Sequence, residues 1–147
     1  MRGFIAGAVI LALVAFIAGA AAAQSKTDAA KKQLQTAFFH ANELAQRATN
    51  IAGVLQHVQH VVNCLEGPGG KNFMQAAGAP CQGQGNGIIP DLTAAAETDA
   101  KATRALRFVN VAHQHALTVL KFTEVDAAQP WMKVIGQQLK MAADALP

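Results

Sequence analysis

Between Leu34 and Leu65 apolar residues recur at alternating intervals of three and four: Leu34, Ala37, Ala41, Leu44, Ala48, Ile51, Leu55, Val58, Val62 and Leu65. That spacing keeps one face of a helix apolar and is the seam of a helix packed on other helices. A strand would need a period of two, so the pattern argues against a sheet. No proline interrupts the run, and Gly53 is its only weak helix former. The spacing predicts helix over 24–66. Ser25 and Asp28 offer an S-x-x-D cap at its start, and Gly67-Pro68 a stop at its end. The unbroken phase favours one long arm over a reversal at Thr49-Asn50, where turn chemistry is weak.

Residues 67–90 form a Gly- and Pro-rich stretch of 24 residues, GPGGKNFMQAAGAPCQGQGNGIIP. Loops of that length are usually functional or disordered. Asp91 suits a helix N-cap, and a second helix is expected from Leu92 to about Phe122, with a core stripe of Ala95, Ala102, Leu106, Val109, His113, Ala116 and Leu120. After a break at 124–129, Pro130 fits the first position of a last helix with a wide apolar face. The expected class is all-α: an antiparallel helical bundle of three to four helices with two long arms. Three unequal helices leave part of the long seam uncovered, which predicts either a homodimer or protein partner, or a bend in the first arm that makes four helices.

The N-terminus carries an export signature. Arg2 precedes an apolar run from Phe4, and Ala21-Ala22-Ala23 provides small residues at an A-x-A cut. Phe4 to Ala23 spans 20 residues, enough to cross a bilayer, so an uncleaved anchor is the alternative. The Ala- and Gly-rich run and its cleavage site favour a removed leader, 1–23, followed by a single helical domain, 24–147, in the periplasm or outside the cell. No membrane association is expected after cleavage. Loss of Arg2 leaves 11 basic against 9 acidic residues, too weak a balance for nucleic acid.

Export exposes Cys64 and Cys81, the only two cysteines, to an oxidising compartment. Their expected state is a disulfide, which closes a loop of 16 intervening residues, contributes about 3 kcal/mol in the chain-entropy account and pins the long loop. The alternative is Cys64 as a thiolate metal ligand.

Five histidines carry what distinctive chemistry there is: His40, His57, His60, His113 and His115. No C-x-x-C-H haem motif and no H-E-x-x-H peptidase motif occurs. His57 and His60 lie three apart on one helical face and can reach one ion, with Gln82, Gln84 or Asn86 of the pinned loop as shields. The plain alternative is a solvated surface pair. His113 falls in the expected core stripe, and a hairpin register pivoting on residues 66 and 91 sets it about 6 Å along the bundle from His40. Folding back the last helix brings Met141 level with both. His113, His40 and Met141 could then hold haem b or copper inside the bundle. The alternative is a hydrogen-bonded core histidine beside a space-filling methionine. His115 is a further ligand candidate that points elsewhere.

Catalysis has little support: the nine acids are scattered, and Ser25 is the only serine. The reading is a non-enzymatic exported protein that binds a transition metal, Cu, Ni or Zn, through His57, His60, His113 and His40, with haem b second and no cofactor as the plain alternative. A metal-free partner-binding or chaperone-like module competes with it.

Overall fold

The computed structural model describes residues 23–147, all of its regular structure helical. The expected leader, 1–23, lies outside the described residues except for Ala23, the first residue described in α1. The first helix, α1, covers 23–47, and its last part widens into a π-turn over His40–Leu44. Then follow α2 (Ile51–Glu66), a long loop with one 3₁₀ turn (Gln75–Ala77), α3 (Ile88–Ala96), α4 (Ala100–Val119) and α5 (Val125–Ala145). No described helix is long and apolar enough to cross a membrane.

The expected single arm is in fact a helical hairpin, the bend that was the alternative to an uncovered seam. Ala48 turns extended at ψ 129°, and Asn50 caps α2, its side-chain oxygen accepting from the Gly53 amide at 2.9 Å. The far helix stabilises the break. Gln129 Nε2 donates to the carbonyls of Ala45, Gln46 and Ala48, and Gln46 Nε2 donates back to the Gln129 carbonyl at 2.8 Å. The last carbonyls of a helix have no partner within it, and here a glutamine 81 to 84 residues on serves three of them. Local sequence carries no trace of that partner.

The hairpin and the π-turn also shift the seam. Leu34, Ala37, Ala41, Val58, Val62 and Leu65 are fully buried as expected, but Ala45 and Val54 take the buried places assigned to Leu44 and Leu55. At the other end, Ser25 lies inside α1 and makes no cap there.

The second arm is likewise two helices. Asp99 is extended and accepts from the Lys101 amide at 2.8 Å, so α4 starts afresh after Ala96. Asp91 is not an N-cap: α3 begins at Ile88 behind Gly87. The Asp91 carboxylate is instead 1% exposed and accepts from Lys26, Gln33 and the backbone and side chain of Asn86, tying α1 to the loop's end. On α4 the buried line is Ala102, Ala105, Val109, Ala112, Ala116 and Val119, one residue off the expected stripe at three places, including His113. Pro130 lies inside α5, which starts five residues earlier because Val125 and Ala128 pack on the core.

The helices share one core of Leu34, Leu65, Leu92, Met132, Ile135 and Leu139, filled in by buried alanines on α1, α3, α4 and α5 and by valines on α2. Alanine brings helix axes close, and fully burying each large side chain contributes about 1.5–3 kcal/mol. α5 packs on α4 and runs back along α1, with Gln129 at the end of α1 and the Pro147 carbonyl at Lys31 near its start.

Candidate metal centre

The hairpin decides which histidines meet. His57 and His60 lie one turn apart on α2, and the reversal at 48–50 lays α1 alongside them with His40, the first residue of the π-turn, opposite. His40 Nδ1 lies 3.2 Å from His57 Nδ1 and 3.1 Å from His60 Nδ1. The ring centroids are 4.6–5.6 Å apart and the planes inclined at 45–83°, so no pair of rings stacks face to face. All three are half-buried, and one ligand nitrogen from each lies within 4.8 Å of the others.

The far side of His60 fixes its chemistry. Its Nε2 lies 2.6 Å from the Ala77 carbonyl, which can only accept, so this nitrogen carries the proton. In the neutral ring Nδ1 then presents a lone pair to His40. One hydrogen on His40 Nδ1 can bridge weakly to both neighbours. A second hydrogen, on His57 Nδ1, would point at the first. His40 Nδ1 thus stands between two ring nitrogens that at most one proton can serve, and the three histidines form a group that could hold a metal ion. A metal 2.0–2.1 Å from each nitrogen would see the 3.1–3.2 Å pairs at about 100°, between square and tetrahedral angles.

Electrostatics point the same way. Burial, then the neighbouring His60 and His57, push the His40 pKa down to about 4. Burial and His60 also lower that of His57. Both therefore stand neutral at pH 7, the state in which imidazole ligates.

The loop covers the cluster, though not with the residues expected. Gly78 sits against His60 at φ +104°, where a Cβ would lie 2.8 Å from His60 Nε2. Gln84 bonds Thr36, and Asn86 bonds Asp91. Two buried amides that sequence reasoning missed dock the loop. Asn63 accepts from the Met74 amide and donates to the carbonyls of Met74 and Gly78, and Gln59 donates to Asn72. Their signal was present, since polar residues one turn apart beside His60 continue the histidine face. Cys64 and Cys81 form the expected disulfide, so Cys64 is not a metal ligand.

The other expected ligands lie elsewhere. His113 is not with His40: its Nε2 is 2.6 Å from Glu66 Oε1. The register estimate treated residues 24–66 as one straight arm, and the hairpin removes that premise. Met141 is 48% exposed, not interior. His115 Nδ1 meets the Gln138 side-chain oxygen at 3.1 Å, and its ring packs edge-on to Trp131. An interior haem b or copper site built on His113, His40 and Met141 is therefore not assembled.

Comparison with protein-family models, with curated proteins and with solved structures finds no match for this chain.

Proposed function

We propose that this is an exported, non-enzymatic protein that holds a transition metal ion through Nδ1 of His40, His57 and His60. The observation that carries the reading is the convergence of three ring nitrogens with too few protons to pair them. Imidazole nitrogens with the cysteines withdrawn into a disulfide suit Cu(II), Ni(II) or Zn(II) over thiolate-preferring ions. The Ala77 carbonyl plays the outer-shell part usual for a ligating histidine, fixing tautomer and ring direction. Three protein ligands leave a coordination position for water or another donor. The disulfide and the export signature together favour the periplasm or the extracellular space as the place of action.

The test is elemental analysis of protein exported with its own leader and purified without a His-tag, followed by calorimetric titration with Cu(II), Ni(II) and Zn(II). Near-stoichiometric uptake is expected. The double change His57→Ala, His60→Ala should weaken it about tenfold or more, and His40→Ala should do the same. His113→Ala should leave it unchanged. Equal affinity in all four proteins would remove the cluster as the site.

A second reading, a metal-free partner-binding module, draws on Val134 and Met141 of α5 and Val111 of α4, each 39–48% exposed. Light scattering separates the two: a stable homodimer or captured partner with no bound metal would favour it.

A further inference from the structure

The ends of the long loop meet beside α4. Gly67 at φ +69° touches Asn86 so closely that a Cβ would lie 1.8 Å from the Asn86 carbonyl oxygen. Next to this junction a cleft of about 740 Å³ opens, bounded by Pro68 and Lys71 at the loop's start, Asn86 and Ile89 at its end, and Asn110 and His113 of α4. The size is that of a small-molecule site, and the lining combines an apolar floor with a few polar groups.

The polar groups have a definite sense. Glu66, at the back, has a side chain 7% exposed, and its oxygens are engaged by the chain. Oε1 accepts from Asn72 Nδ2 and lies 2.6 Å from His113 Nε2, and Oε2 accepts from the Asn72 amide. Burial would raise the Glu66 pKa, but the hydrogen bonds from Asn72 and His113 outweigh it and hold the carboxylate below its ordinary value, ionised at neutral pH. Because an ionised carboxylate only accepts, His113 donates to it through Nε2–H. Nδ1 of His113 has no hydrogen-bond partner among the described residues. Lys71 is exposed and has no ion-pair partner among them either. The negative charge of the cleft is thus consumed internally, while a cation, an imidazole nitrogen and the Asn110 side-chain amide stay available; Asn86 already donates to Asp91.

We propose that this cleft binds a small organic acid, its carboxylate held by Lys71 and its apolar body lying on Ile89 and Pro68, with His113 and the Asn110 amide reading further polar groups. Glu66 is a positioning residue that fixes the His113 ring. The site is separate from the histidine cluster and does not depend on a metal there.

The experiment is amide-resolved NMR titration of the EDTA-treated protein with sodium hexanoate, hexylamine and inorganic phosphate in turn. Hexanoate should produce saturable shifts at Lys71, Asn86 and Asn110, with a Kd on the order of a millimolar or tighter for a ligand of that size. It should bind at least fivefold tighter than either comparison compound. Lys71→Met keeps the aliphatic stem on an exposed residue and should weaken hexanoate at least fivefold. His57→Ala, His60→Ala should not change it. Absence of saturable shifts, equal binding of hexylamine, or indifference to Lys71→Met each overturns the proposal. Phosphate binding as tightly as hexanoate overturns the apolar part of the site and leaves a bare anion contact.

Discussion

At the scale of single residues, the candidate metal site depends on a carbonyl that no ligand count would include. His60 is aimed at His40 because Nε2–H is held by the Ala77 oxygen, and the loop passes that close because residue 78 has no side chain. Gly78→Ala would place a Cβ 2.8 Å from His60 Nε2 on a backbone at φ +104° that alanine resists. We expect the circular dichroism spectrum to be retained and the affinity for Cu(II) or Zn(II) to fall about tenfold, as for a lost outer-shell contact. Unchanged affinity would mean that His60 does not need the loop. The depressed His40 pKa gives a second expectation. Folded His40 takes up its proton only near pH 4, whereas the unfolded chain does so near the ordinary 6.5. The unfolded state therefore binds more protons between those values. Stability of the metal-free protein should be flat above pH 6.5 and fall as pH drops toward 4. Glu66 acts in a lower window, because its depressed pKa contributes stability that is lost only below about 4.5. Thermal melts of wild type and His40→Gln at pH 7, 6 and 5 separate the two. The variant should lose much of the slope between pH 7 and 5, and parallel slopes would remove His40 from the account.

At the scale of elements, Gln129 and Gln46 join the end of α1 to the second turn of α5. Gln129→Leu keeps the bulk and strands carbonyls of Ala45, Gln46 and Ala48. The cost should be about 1–3 kcal/mol, read as a lower urea midpoint at constant m-value. A change within a few tenths would mean that water serves those carbonyls as well. This contact also marks where the sequence stops being legible. Helical class, the stop at Gly67 and most of the buried seam follow from spacing, because a 3.5-residue period persists through a short reversal. The reversal itself does not, since its partner lies 81 to 84 residues away. The π-turn is invisible for a related reason: one extra residue in a turn changes the phase from Leu44 to Ala45 without altering the residue types. π-turns occur often at functional sites, and this one begins at His40. Spacing alone paired His57 with His60. It placed His40 with His113 because a straight arm was assumed, so the third ligand became apparent only with the hairpin.

At the scale of the whole molecule, two of the devices that hold the long loop to the helices lie beside the histidine cluster, and they are chemically independent. One is the Cys64–Cys81 disulfide. The other is the pair of buried amides, Gln59 and Asn63, with their four hydrogen bonds to residues 72–78. The disulfide acts mainly on the unfolded chain, by restricting a loop it closes in both states. The amides act on the folded state and set where Ala77 and Gly78 lie relative to His60. Removing each should therefore have a different signature. Cys64→Ala, Cys81→Ala should cost about 3 kcal/mol of stability by urea unfolding and change metal affinity less than threefold, because the amides still place the loop. Asn63→Leu should cost less stability than the disulfide, roughly 1–3 kcal/mol, yet weaken metal binding more, because the Gly78 carbonyl loses its donor and the loop its register over His60. Paired urea and calorimetric titrations on the two variants decide it. The reverse ordering, with metal lost on removing the disulfide and kept on removing Asn63, would make the covalent link the device that shapes the site.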